Sequence, residues 1–139
     1  MAEEPIDLIR FEGDGGSVVL RISGKDKNVL LTGEFVVGTP FVSGGVMTRI
    51  SGDDLGEWQQ ALDLLDTGHE ISWRDGANTP GLYVEFDEDD GKGRCHVTVK
   101  DARASGTAVT VPVVLDDAWF DDAYRRLDLV REFLERRED

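Results

Sequence analysis

The stretch Ser51 to Gly68, SGDDLGEWQQALDLLDTG, separates two long β-type regions, and its reading decides the fold. Ser51 can accept a hydrogen bond from an unpaired backbone N–H of the first helical turn, which is the role of a helix N-cap. Asp53 and Asp54 follow in that turn, where negative charge meets the positive end of the helix dipole. Leu55, Trp58, Leu62 and Leu65 recur at spacings of three and four, forming one apolar stripe. Gly68 suits the left-handed cap at the C-terminus. The spacing predicts an amphipathic helix over about 52–67, with Trp58 in the core rather than at a surface.

Upstream of this helix the sequence alternates with period two. Ile6 to Phe11 reads as a strand, and Gly13-Asp14-Gly15-Gly16 as a turn. Val18, Leu20 and Ile22 then share one face, with Ser17 and Arg21 on the other. Leu30 to Val37 follows, punctuated by Thr39-Pro40 before a strand over Phe41 to Ile50. The interior glycines Gly33, Gly44 and Gly45 suggest a bulge or a close backbone approach.

Downstream the same logic returns. His69 to Arg74 reads as a short strand, and 75–81 as a loop. Leu82, Val84 and Phe86 alternate with polar neighbours, as do Cys95, Val97 and Val99, with the acidic turn 87–93 between them. Val109, Val111, Val113 and Leu115 form a last strand. Pro112 donates no ladder hydrogen bond, so this strand is an edge or is interrupted. Asp116 or Asp117 caps a second helix, whose stripe is Phe120, Ala123, Leu127, Val130 and Leu134, widened by Trp119 and Phe133. The order ββββα-ββββα predicts an α+β fold in one domain spanning 1–139. Short connections favour a twisted, mainly antiparallel sheet of about seven to eight strands, with both helices on one face. Residue-level similarity between the halves is slight: an acidic cap, a Trp and a Leu-rich stripe.

Charge and composition restrict function. The 139 residues carry a net charge of −14, and division after residue 67 leaves −7 in each part. Phosphate backbones are held by Lys and Arg clusters, so nucleic acid and anionic membrane surfaces are not expected partners. A basic protein is. A single cysteine, Cys95, no signal-like start and no apolar run of membrane-spanning length favour a cytoplasmic location. Val19, Val36, Val42 and Val114 lie opposite the main alternating sets. Clustered on an uncovered face, they would suit a homodimer.

Catalytic chemistry finds no support. Cys95 and His96 are neighbours on a strand and point to opposite faces, so they do not form a nucleophilic pair. The cluster Asp87-Glu88-Asp89-Asp90-Gly91 fails as a calcium loop, since Gly91 in sixth place puts Phe86 first and Val97 twelfth. Gly13-Asp14-Gly15-Gly16 lacks a phosphate-binding lysine and precedes a strand rather than a helix. No catalytic, cofactor-binding or metal-binding residues are assigned.

Four segments together resemble a family of small, acidic, uncharacterised actinobacterial proteins: IDLIRFEGDGGSVVLRISG at 6–24, LLTGEFVVGTPFVSG at 30–44, DDLGEWQQALDLLDTGHEISW at 53–73 and VPVVLDDAWFDDAYRRLDLVREF at 111–133. The residues that carry the likeness are structural, so it implies no active site. In size, acidity and layout the chain is also similar to the immunity proteins of bacterial toxin systems. The leading expectation is a non-enzymatic, acidic protein-binding module of immunity or regulatory type. Its partner-binding candidates are Asp87, Glu88, Asp89 and Asp90 as the acidic tip, with Tyr83 and Trp73 as aromatic anchors, although Trp73 fits the core better than the surface. The alternative is a small-ligand protein or minor enzyme with a pocket between sheet and helices.

Overall fold

A computed structural model describes residues 4–27, 30–74, 80–86, 94–101 and 106–136. The element order is ββββα-ββββα: β1 (Ile6–Gly13), β2 (Gly16–Lys25), β3 (Leu31–Gly38), β4 (Ser43–Ile50), α1 (Gly52–Asp66), β5 (Ile71–Trp73), β6 (Gly81–Phe86), β7 (Arg94–Lys100), β8 (Ala108–Val114) and α2 (Asp117–Glu135). All pairing among the described residues is antiparallel, and the α+β class follows. The strands form two four-stranded sheets, β1-β2-β3-β4 and β5-β6-β7-β8, where the sequence suggested one. The division falls at α1, which carries the chain away from the free edge of β4. At the other side β1 lies alongside β8, close enough that a Cβ on Gly13 would sit 2.3 Å from the Pro112 carbonyl oxygen. Pro112 has no N–H to continue a ladder, and β8 is an edge as its proline requires.

Local irregularities have packing reasons. The register of β1 slips between Asp7 and Ile9, so Leu8 and Ile9 both turn inward and are buried despite being consecutive. In β3, Gly33 lets the side chains of Leu20 and Ile22 lie across the backbone, since an added Cβ would meet both at 3.2–3.3 Å. β4 begins at Ser43, two residues later than the apolar pattern suggested. Thr39 Oγ1 accepts from the N–H groups of both Phe41 (3.2 Å) and Val42 (2.7 Å), which bends these residues into a turn.

The helices start and stop where their caps dictate. Ser51 Oγ accepts from Asp54 N–H at 3.1 Å, and Asp54 Oδ2 accepts from Ser51 N–H at 2.9 Å. This is a reciprocal capping box. Gly68 adopts φ +88 beyond the end of α1. Asp116 caps α2 through Trp119 N–H at 2.8 Å. The two helices run antiparallel: a Cβ on Gly52 would lie 3.6 Å from Leu134, and Tyr124 Oη donates to Asp63 at 2.7 Å.

Buried side chains from both halves join in one cluster. Tryptophans tie it together. Trp119 stacks on Phe11 with ring centroids 4.9 Å apart and donates its indole N–H to Arg10 O at 2.7 Å, attaching α2 to β1. Trp58 from α1 meets Trp73 from β5 at 5.3 Å, and Phe35 from β3 meets Trp73 edge-on at 6.5 Å. Helix-to-sheet attachment therefore crosses between the halves. No helix among the described residues is long and apolar enough to cross a membrane.

Candidate functional site

Asp54 is where the local structure of α1 becomes a site. Its carboxylate closes the capping box, and its carbonyl accepts the Trp73 indole N–H at 3.0 Å. The start of α1 is thereby fixed to the end of β5. Arg74, the next residue, makes the junction tighter. Its backbone has φ 66, a left-handed conformation unfavourable for a residue with a Cβ. Its side chain returns to the protein and is only 7 % exposed. Nη1 donates to Thr48 Oγ1 at 2.6 Å, and Nη2 lies 3.8 Å from Asp54 Oδ2. The guanidinium also sits 5.9 Å from the Trp73 ring centre. Burial pushes the Arg74 pKa below its ordinary value, opposed by the charges of Asp54 and Glu57. The contact accounts for Thr48, a polar side chain buried on β4.

This junction forms one end of a groove of about 450 Å³ between α1 and β5. Glu57, Gln60, Ala61 and Leu64 supply the helical wall, and Glu70 to Arg74 the strand wall. Among the described residues β5 ends its sheet, pairing with β6 on one side alone. The helix beside it holds five acidic residues and no basic one. Leu64 is 49 % exposed at the groove, an apolar contact among carboxylates. Glu70 reaches sideways, its Oε2 accepting from Phe86 N–H at 3.1 Å. An extended segment laid here would meet strand backbone on one side and negative charge on the other.

The sequence candidates divide. Trp73 lines the groove and is 2 % exposed, the core placement that its sequence favours over an anchor at the surface. It is held from three sides by Phe35, Trp58 and the Asp54 carbonyl. Tyr83 is half-buried on the outer face of β6, directly across from Ser72 of the groove. Lys100 Nζ lies 4.8 Å above its ring. Asp87, Glu88, Asp89 and Asp90 lie outside the described residues. Of the four valines suggested as a dimer patch, Val19 and Val36 face each other across β2 and β3. Val19 is buried, however, and Val114 stands on the other sheet. Arg74, Leu64 and Glu57 were not singled out from sequence. The signal for Leu64 and Glu57 was there: a helix with no basic residue, and a leucine outside its stripe.

A second cavity, of about 550 Å³, opens between the β1–β2 turn and the ends of β7 and β8 rather than between sheet and helices. Glu12 and Asp14 line one side, Arg94 and His96 another. Cys95 lies behind it, its thiol pushed up to about 12 by burial. At neutral pH it is a protonated, poorly nucleophilic group. Among the described residues no cluster of His, Cys, Asp and Glu is placed to hold a metal ion.

Neither a curated protein nor a solved structure matches the chain. A family profile matches residues 6–135, from the first strand through the last residue of α2. The chain thus belongs to a family of unknown function, DUF5959.

Proposed function

We propose that the protein is a non-enzymatic binding module that takes an extended, positively charged segment of a partner protein into the groove between α1 and β5. One observation carries the reading: a helix whose charged residues are all acidic shares a groove of about 450 Å³ with the edge strand of a sheet. Strand addition gives affinity through backbone hydrogen bonds, and side-chain surroundings give selectivity. Here Glu57 and Glu70 select for Lys or Arg, and Leu64 for a neighbouring apolar side chain. The fixed junction of Asp54, Trp73 and Arg74 supports the groove in advance, which lowers the ordering cost of binding. Such a module acts by occupancy, as regulatory and immunity-type proteins do.

The test uses a fluorescein-labelled peptide of alternating Lys and Val, with a Glu/Val peptide as control. Anisotropy is expected to show salt-sensitive binding of the first alone. Amide shifts in an NMR titration should concentrate on Glu57–Leu64 and Ile71–Arg74. Equal binding of both peptides, or shifts centred elsewhere, would refute the assignment.

A further inference from the structure

Among the described residues β4 is the edge strand of the other sheet, and it differs from β5 in the charge around it. From Phe35 to Thr48 the chain has fourteen consecutive uncharged residues, its longest such run, although a third of all residues are charged. The run folds as the β3–β4 hairpin. At its tip Phe41 is 84 % exposed, and on β4 Met47 is 58 % exposed. Natural edge strands are normally blunted by a bulge, a proline, a lysine or short length. β4 has eight residues in unbroken register with β3, no proline, and Arg49 as its one charge.

Two charged groups border this edge, and their placement is complementary. Gly45 has no side chain, and the position its Cβ would take is filled by the Glu34 carboxylate, 2.4 Å from that point. Glu34 thus lies over β4 from its neighbouring strand. Arg49, four residues on and on the same face as Gly45, is exposed and reaches Asp26 at 3.7 Å.

We infer that β4 is the site at which two copies of the chain join, edge to edge and antiparallel about a two-fold axis at Met47. That register puts Gly45 opposite Arg49 of the second copy, so Glu34 of each copy meets Arg49 of the other. It brings the two Met47 side chains together and makes one eight-stranded sheet. Charge fixes both occupant and register. The acidic groove repels a second copy bearing −14, whereas the hairpin, with Glu34 and Arg49 as its charges, has no net charge and admits it. An axis at Gly45 would instead oppose the two Glu34 carboxylates. A two-fold contact must be self-complementary, which a patch of one sign cannot be.

Sedimentation equilibrium over a concentration series tests this on the full chain. A monomer–dimer equilibrium is expected, weakened about tenfold or more by Glu34→Arg and likewise by Arg49→Glu. The double exchange of both charges should restore most of the lost association. Circular dichroism confirms that each variant folds, and Met47→Lys supplies a third disruption independent of the ion pairs. A monomer at all concentrations overturns the inference. So does a dimer indifferent to these changes, or a double exchange no better than the single variants.

Discussion

The helices and the strands of this protein carry opposite charge. α1 and α2 together hold eleven acidic and three basic residues, whereas the eight strands hold four acidic and six basic. The chain divided in half by sequence shows none of this, because each half contains one helix and four strands and sums to −7. Folding sorts the charge: both helices pair on one side of the core, so their carboxylates share a surface. A coat serving solubility alone would need no such sorting. A concentrated field beside an open sheet edge steers a cationic partner and raises its encounter rate.

Reversing the helical charge at the groove has the largest expected effect. Glu57→Lys combined with Gln60→Lys should weaken binding of the Lys/Val peptide by about 100-fold, taking roughly tenfold per position. Both side chains are exposed, so the fold should tolerate the change. A slightly larger change of charge on the strands, Glu12→Lys with Glu85→Lys, should leave the affinity nearly unchanged. Anisotropy titrations of the two double variants decide it. Comparable losses from both would reduce the helical surface to part of a general negative charge.

The same contrast appears in how arginines contribute to stability. Arg74→Ala leaves Thr48 Oγ1 buried without its partner and removes the charge facing Asp54, so it should cost about 2–3 kcal/mol by urea denaturation. Arg74→Gly loses the same contacts but relieves the left-handed backbone, and should recover about 1 kcal/mol of that loss. Arg10, exposed on β1, pairs with the exposed Glu12 and with Asp7, which Arg21 also holds. Its replacement by Ala should change stability by less than about 0.5 kcal/mol. If Gly at position 74 were no better than Ala, backbone strain would not be part of the junction.

Much of this frame was legible in the sequence, because caps and periodicities are local. Ser51, Gly68 and Asp116 act as read, and so do the alternating sets that line both sheets. The split into two sheets was not legible, since nothing in the residues of β4 or β5 says whether those strands pair. The sequence favours the core for Trp73 without deciding it. Its burial depends on Phe35, Trp58 and the Asp54 carbonyl, which lie 38, 15 and 19 positions away in the chain. The groove escaped for the same reason: it joins a helix to a strand whose contact is tertiary. Arg74 gave no signal at all, because its φ and its return to Thr48 are set by the junction, not by its neighbours.

The smallest expected effect lies inside the helical layer itself. Two acidic helices lying side by side repel, and the Tyr124–Asp63 bond is one contact that holds them together. Burial, followed by this bond and the charges of Asp63 and Asp66, raises the Tyr124 pKa above its ordinary value. A group whose folded pKa is raised stabilises the fold below its unfolded pKa, about 10 for tyrosine, and loses that contribution as pH rises beyond it. Tyr124→Phe should therefore be about 1 kcal/mol less stable than the parent at pH 7, with the gap constant up to about pH 9. Above about pH 10 the gap should close, because ionisation of the tyrosine then favours the unfolded parent chain. Other titrating groups are common to both proteins and cancel in the difference. Urea denaturation at pH 7, 9 and 11 measures it directly. A gap that widened with pH would mean that the phenol is more acidic in the fold than out of it, and that neighbouring carboxylates do not govern the seam between the helices.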